Sequence, residues 1–225
     1  MPAFDLVYLL KNSVPKEHGK DPARIVVPAV EKNGLFTLTD PKSCTRCRQL
    51  PDRAYRKDCD NVILNVDTQG KQIVLVHYEE YISQFPKVQD NRCDYLMTET
   101  GVEHDKIVFC DLCCYEEKYV NPNGGQHPEG KRAYARHQME QSIKALVSDL
   151  QACVNILTYP ERVCLFAWRD YDMPETVPEH GVAEANMGAF NLTASYRAAE
   201  TFSDVVIGDS AFKFVQVKHP TVYRW

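Results

Sequence analysis

Apolar positions along the chain follow two periods. Short β-branched and aromatic runs come first. "FDLVYLLKN", "RIVVPAV" and "GLFTLTD" predict three N-terminal strands, separated by Pro-, Gly- and Lys-rich turns. "NVILNVDTQGKQIVLVHY" predicts a hairpin turning at Asp67-Thr68-Gln69-Gly70, and "EEYISQF" a short helix before Pro86. Two further strands follow, in "CDYLM" and "IVFCDLC". "YVNPNGGQHPEGKR" then reads as a loop. From Arg132 to Leu157 the period becomes helical: Met139, Ile143, Leu146, Val147, Leu150, Cys153, Val154 and Leu157 recur at three- and four-residue steps. "RVCLFAW" is a buried-type strand, "VPEHGVAEANMGAFNLTASYRAAETF" partly helical, and "FKFVQVKH" a final strand. This order predicts an α/β fold, a mixed sheet flanked by helices. It is read as one domain over 1–225, with a β-rich elaboration over 1–60 ahead of a core over 61–225.

Each of the two central strands carries an aspartate in apolar company, Asp94 and Asp111. A carboxylate is costly to hold in a strand that packs on a core. Two carboxylates on adjacent strands suit Mg²⁺, which takes oxygen ligands and keeps several waters. Alternatively, each aspartate caps its strand or pairs with an arginine such as Arg92 or Arg136. Glu79 or Glu80 offers a third acid.

Over residues 61–168 this arrangement resembles the PD-(D/E)XK nuclease superfamily. The resemblance implies a restriction-endonuclease-like core. In it an aspartate ends one strand, an acid-x-lysine triplet lies on the next, and a helix packs on the sheet. Asp94 matches the first aspartate and Asp111 the acid of the triplet. Gln138 or Gln141 matches the site-facing amide of the helix. The lysine of the triplet falls at Cys113, and a thiol supplies no permanent positive charge. "YEEKYV" contains its own acid-x-lysine, Glu116-Glu117-Lys118, so that Lys118 is a candidate displaced cation. A second such triplet, Gln216-Val217-Lys218 with Asp209 upstream, reads as an amphipathic last strand.

Composition narrows the setting. The 225 residues are 44% hydrophobic with a net charge of −5, which gives no broad basic surface for nucleic acid. A local one remains in "RCRQLPDRAYRKD", where Arg46, Arg48, Arg53, Arg56 and Lys57 surround Tyr55. No apolar run approaches the ~20 residues of a membrane span. The N-terminus lacks the basic lead and cleavage site of a signal peptide. Nine cysteines, an odd number, are expected to be mostly reduced thiols in a cytoplasmic protein. Two C-x-x-C pairs, Cys44 with Cys47 and Cys110 with Cys113, raise zinc as a competing cofactor.

Three functions follow as expectations. The first is a catalytically impaired PD-(D/E)XK-like protein serving as a subunit or binding module, with a protein partner or oligomer, in nucleic-acid processing or phage defence. The second is an active Mg²⁺-dependent nuclease using Asp94, Asp111 and Lys118. The third is a zinc-stabilised interaction protein.

Overall fold

The computed structural model describes residues 6–40, 62–85, 92–100, 105–115, 117–122, 128–148, 150–170 and 199–225. Within them, a seven-stranded mixed sheet lies between a layer of helices and a second, three-stranded sheet.

The described residues begin with helix α1 (Leu6–Glu17), where a strand is expected from the sequence. Val7 and Tyr8 give the segment its strand-like composition. Leu6, Leu9, Leu10 and Val14, spaced for one helical face, are the residues that become buried. β1 (Ala29–Lys32) then forms one edge of the large sheet, while β2 (Leu35–Thr39) enters the small one. Residues of the 1–60 segment thus contribute to all three layers.

β3 (Val62–Asp67) and β4 (Ile73–His77) do not form the expected hairpin. The turn between them closes, with Lys71 N–H donating to the Thr68 carbonyl at 3.0 Å and Gln69 and Gly70 both at positive φ. The strands nevertheless diverge. β3 pairs with β2 and with β10 (Val222–Arg224), and β4 pairs with β1 and with β5 (Tyr95–Glu99). The turn is a corner between two layers.

The large sheet has the order β1-β4-β5-β6-β7-β9-β8. β4, β5 and β6 (Lys106–Cys114) run antiparallel, with the short helix α2 (Tyr78–Ile82) following β4. β6, β7 (Glu161–Arg169) and β9 (Ser210–Lys218) are parallel, and β8 (Ala199–Ile207) closes the edge. The predicted long helix connects β6 to β7, divided into α3 (Gly130–Val147) and α4 (Leu150–Leu157).

Alternation sorts the strand residues between two cores. Leu96, Ile107, Phe109, Cys164, Phe166, Phe212 and Phe214 face the helices, meeting Met139, Ile143 and Leu146 of α3. Met97, Val108, Cys110, Leu112, Leu165 and Val217 face Phe36, Leu38, Ile63, Leu64 and Val66 of the small sheet. A mixed α/β architecture is therefore present. No helix among the described residues is long and apolar enough to cross a membrane.

Candidate functional site

Asp94 sits where β5 begins, and its backbone is tied in three directions. Its N–H donates to the Cys110 carbonyl of β6 at 3.0 Å. Its carbonyl accepts from the N–H groups of Tyr78 (2.8 Å) and Glu79 (3.2 Å), which open α2. Just before it, Cys93 N–H donates to Ser142 Oγ of α3 at 2.8 Å, and Gln138 Nε2 donates to the Arg92 carbonyl at 2.9 Å. The carboxylate itself takes over part of the sheet ladder. Asp94 Oδ2 accepts from the Leu112 N–H at 2.7 Å.

That bond fixes Asp94 beside Asp111. β5 and β6 pair with Tyr95 opposite Cys110, so one further residue sets Asp94 opposite Asp111. Opposed residues of an antiparallel pair share a face. For Asp111 that face is the one of Phe109, toward the helices. Both aspartates are buried, at 7% and 6% exposure. Glu79 lies alongside through its amide, with its Oε1 3.7 Å from Arg92 Nε. Glu80 instead meets His77 Nδ1 at 2.9 Å. Arg136, an expected partner for the aspartates, donates to the Ser203 and Asp204 carbonyls at the bulge of β8.

The parallel register extends the site across three strands. Asp111 lies level with Phe166 on β7 and Gln216 on β9, and Cys113 level with Trp168 and Lys218. In α/β sheets the carboxyl ends of parallel strands are the usual location of ligands. Gln216 is buried and turned to the helical side, in alternation with Phe212 and Phe214, so its triplet is part of this end of the sheet. The sequence could not give this placement, because parallel register over long crossovers leaves no local trace.

Cys113 is buried, and burial, followed by the nearby Asp111 charge, pushes its thiol pKa up. Lys131, on the first turn of α3, opposes that rise and rests 4.0 Å over the Tyr115 ring. The thiol is neutral and adds no charge to the site. Lys118 falls within a 3-10 turn, Glu117–Tyr119, that follows β6 without help from Gly or Pro. Its side chain lies outside the described residues. Gln138 spends its amide donor on Arg92, and Gln141, three residues on, is half-buried.

Chemistry at the acid pair is limited by its donor set. Among the described residues no three His, Cys, Asp or Glu side chains converge as a metal site. Two carboxylates and waters still suffice for Mg²⁺. Zinc fares differently at "CDLC": Cys110 belongs to the core under the small sheet and Cys113 to the core under the helices. Thiols on opposite faces of a strand cannot share one ion. Cys44, Cys47 and the basic segment from Arg46 to Lys57 lie outside the described residues. No family model, curated protein or solved structure matches the chain.

Proposed function

We propose that the protein is a PD-(D/E)XK-like domain that engages the phosphodiester backbone of nucleic acid without hydrolysing it, as a binding module or subunit of a larger assembly. Nucleic-acid processing or phage defence is the setting the resemblance implies. The observation that carries this reading is the opposed pair Asp94–Asp111 on β5 and β6, with α3 anchored over it through Gln138 and Ser142. These are the parts, in the order, that the resemblance calls for. A divalent ion held by the two carboxylates would polarise a phosphate and acidify a bound water. The chain's own residues position the acids: Leu112 N–H orients Asp94, and α3 fixes the approach of Arg92 and Cys93. They do not complete the charge balance. Phosphodiester cleavage places further negative charge on oxygens that already carry it, and preorganised positive groups are a major source of rate. At the position next to Asp111 on this face stands a neutral thiol.

The test is a nuclease assay with Mg²⁺ or Mn²⁺ on wild type, Cys113→Lys and Asp111→Asn. Wild type is expected to leave DNA and RNA intact. Cys113→Lys is expected to gain metal-dependent cutting, about 10²-fold above background. Asp111→Asn, close in shape, is expected to lose Mn²⁺ binding by calorimetry while melting as a folded protein. Metal-dependent cutting by wild type that disappears in Asp111→Asn would overturn the inactive reading.

A further inference from the structure

Beside the acid pair, the carboxyl ends of β7 and β9 carry polar groups that the fold leaves unmatched. Trp168 is 3% exposed, yet its indole Nε1–H has no hydrogen-bond partner among the described residues. Gln216, 8% exposed, has an unpartnered Oε1. The two lie on adjacent strands and the same face, two residues apart in register. A buried polar group left unmatched is destabilising. The indole N–H calls for an oxygen acceptor, whereas the Gln216 oxygen is itself an acceptor and serves such a ligand only with its amide turned over. The amide's oxygen and nitrogen are interchangeable by a flip, so Gln216 can present either.

Lys218 adds charge at this spot. Its ammonium does not extend from the sheet into solvent but sits 4.6 Å over the Trp168 ring. There it meets Glu117 Oε2 at 2.9 Å, with the two side chains 29% and 62% exposed. Glu117 comes from beyond β6 and Lys218 from β9, so the ion pair closes over the strand between them. A carboxylate therefore already pairs with the ammonium that lies over the indole. The pair is partly open to water, where such pairs are weakly held, so a ligand with more charge and a second acceptor displaces it. Lys131 adds positive charge nearby, above Tyr115.

We propose that Lys218, Trp168 and Gln216 form an anion subsite for a phosphate of a nucleic-acid strand, adjoining the Asp94–Asp111 pair, and that Glu117 holds the lysine until the phosphate arrives. The subsite rests on the reading of the acid pair as a phosphodiester site. It supplies a cation about 10 Å, two interstrand spacings, from the backbone of Cys113. The side chain reaches back over β7 to narrow that gap.

The experiment follows the Trp168 indole N–H by ¹⁵N NMR, assigned by its loss in Trp168→Phe. Inorganic phosphate and a labelled single-stranded oligodeoxynucleotide are the two probes, each with wild type, Lys218→Gln and Glu117→Gln. Both probes are expected to move the indole signal. Lys218→Gln should weaken phosphate binding about tenfold or more. It should also lower the slope of log K against log salt for the oligonucleotide by about 0.7, one lost phosphate contact. Glu117→Gln should tighten both by up to about fivefold. Phosphate binding with an oligonucleotide affinity indifferent to Lys218→Gln would overturn the nucleic-acid assignment. An indole signal unmoved by either probe would overturn the subsite itself. Mn²⁺ broadening of the Leu112 amide, and its loss in Asp111→Asn, reports in the same samples on the acid pair alone. A failed subsite is thereby separated from a failed reading of the aspartates.

Discussion

A neutral imidazole follows directly on Lys218. His219 continues the pairing of β9 with β7, its N–H donating to the Trp168 carbonyl at 2.8 Å. Its Nδ1 is buried without a hydrogen-bond partner among the described residues. Burial first, and the Arg169 guanidinium second, bring its pKa down to about 4, against a weaker opposing pull from the backbone near Ile63. An unfolded histidine titrates near 6.5. The sign follows from linkage. The folded state resists a proton that the unfolded state accepts, so stability is full above about pH 6.5 and falls as pH drops toward about 4. Urea midpoints measured from pH 7.5 to 4 are expected to fall for wild type and to flatten over that window in His219→Gln. Parallel curves would show that His219 takes up a proton as readily in the folded state as in the unfolded one. That a cysteine stands two residues after Asp111 was legible in the sequence. That burial holds the thiol neutral, so that it neither attracts nor repels a phosphate, required the packing around it.

Helix α3 holds Arg92 and Cys93, just ahead of Asp94, and its start depends on one glycine. Gly130 has φ +84, and a Cβ there would lie 2.5 Å from the Asn121 carbonyl carbon and 2.6 Å from the Val120 oxygen. Neither backbone atom can yield without moving the segment that follows β6. Gly130→Ala is expected to cost at least ~1–3 kcal/mol for the conformation alone. Because Gln138 and Ser142 hold Arg92 and Cys93, the Mn²⁺ affinity proposed for Asp94–Asp111 should fall with it. A thermal melt and a Mn²⁺ titration within a few per cent of wild type would show that the helix start does not set the acid pair. At this scale the sequence was a good guide to α2, β5, β6 and β7, and to the helical face of Met139, Ile143 and Leu146. It misled where two structures use the same residues. Leu6, Leu9, Leu10 and Val14 fit a helix, although Val7 and Tyr8 suggest a strand, and Tyr8 ends up 65% exposed. A corner between layers needs the same positive-φ turn as a hairpin, so residues 62–77 could not disclose that their strands part. The long apolar stripe continues through the break after Val147, so the division of α3 from α4 is not written in periodicity.

Besides their shared core, the two sheets are tied together at the far end from the candidate site. Trp225, beyond β10 of the small sheet, is 7% exposed and donates its Nε1–H to Glu99 Oε1 of the large sheet at 2.6 Å. Its backbone N–H donates to the Asp67 carbonyl at 2.9 Å. Lys71 Nζ donates to the same Glu99 oxygen at 2.5 Å, and Asp105 N–H to the other at 3.4 Å. Lys106 lies 5.4 Å over the Trp225 ring. Burial alone would raise the Glu99 pKa. The bonds from Lys71, Trp225 and Asp105, with the Lys71 charge, outweigh it and hold the carboxyl below its ordinary value. Glu99 is thus a carboxylate that staples strand β5 to the end of the small sheet. Trp225→Ala removes the ring as well as the bond and is expected to cost about 3–5 kcal/mol. Glu99→Gln keeps the shape and an acceptor for Trp225 but removes the charge, at an expected cost of about 1–3 kcal/mol at neutral pH. Linkage fixes how that difference depends on pH. The folded pKa is depressed, so the contribution is complete above the unfolded value near 4.3 and is lost as pH falls through the lower folded one. Denaturant titrations of wild type and Glu99→Gln should therefore differ by a constant amount from pH 7 to about 5 and converge below it. A difference that persisted unchanged into strong acid would mean that the staple is held by packing and a neutral hydrogen bond, with the Lys71 charge contributing nothing.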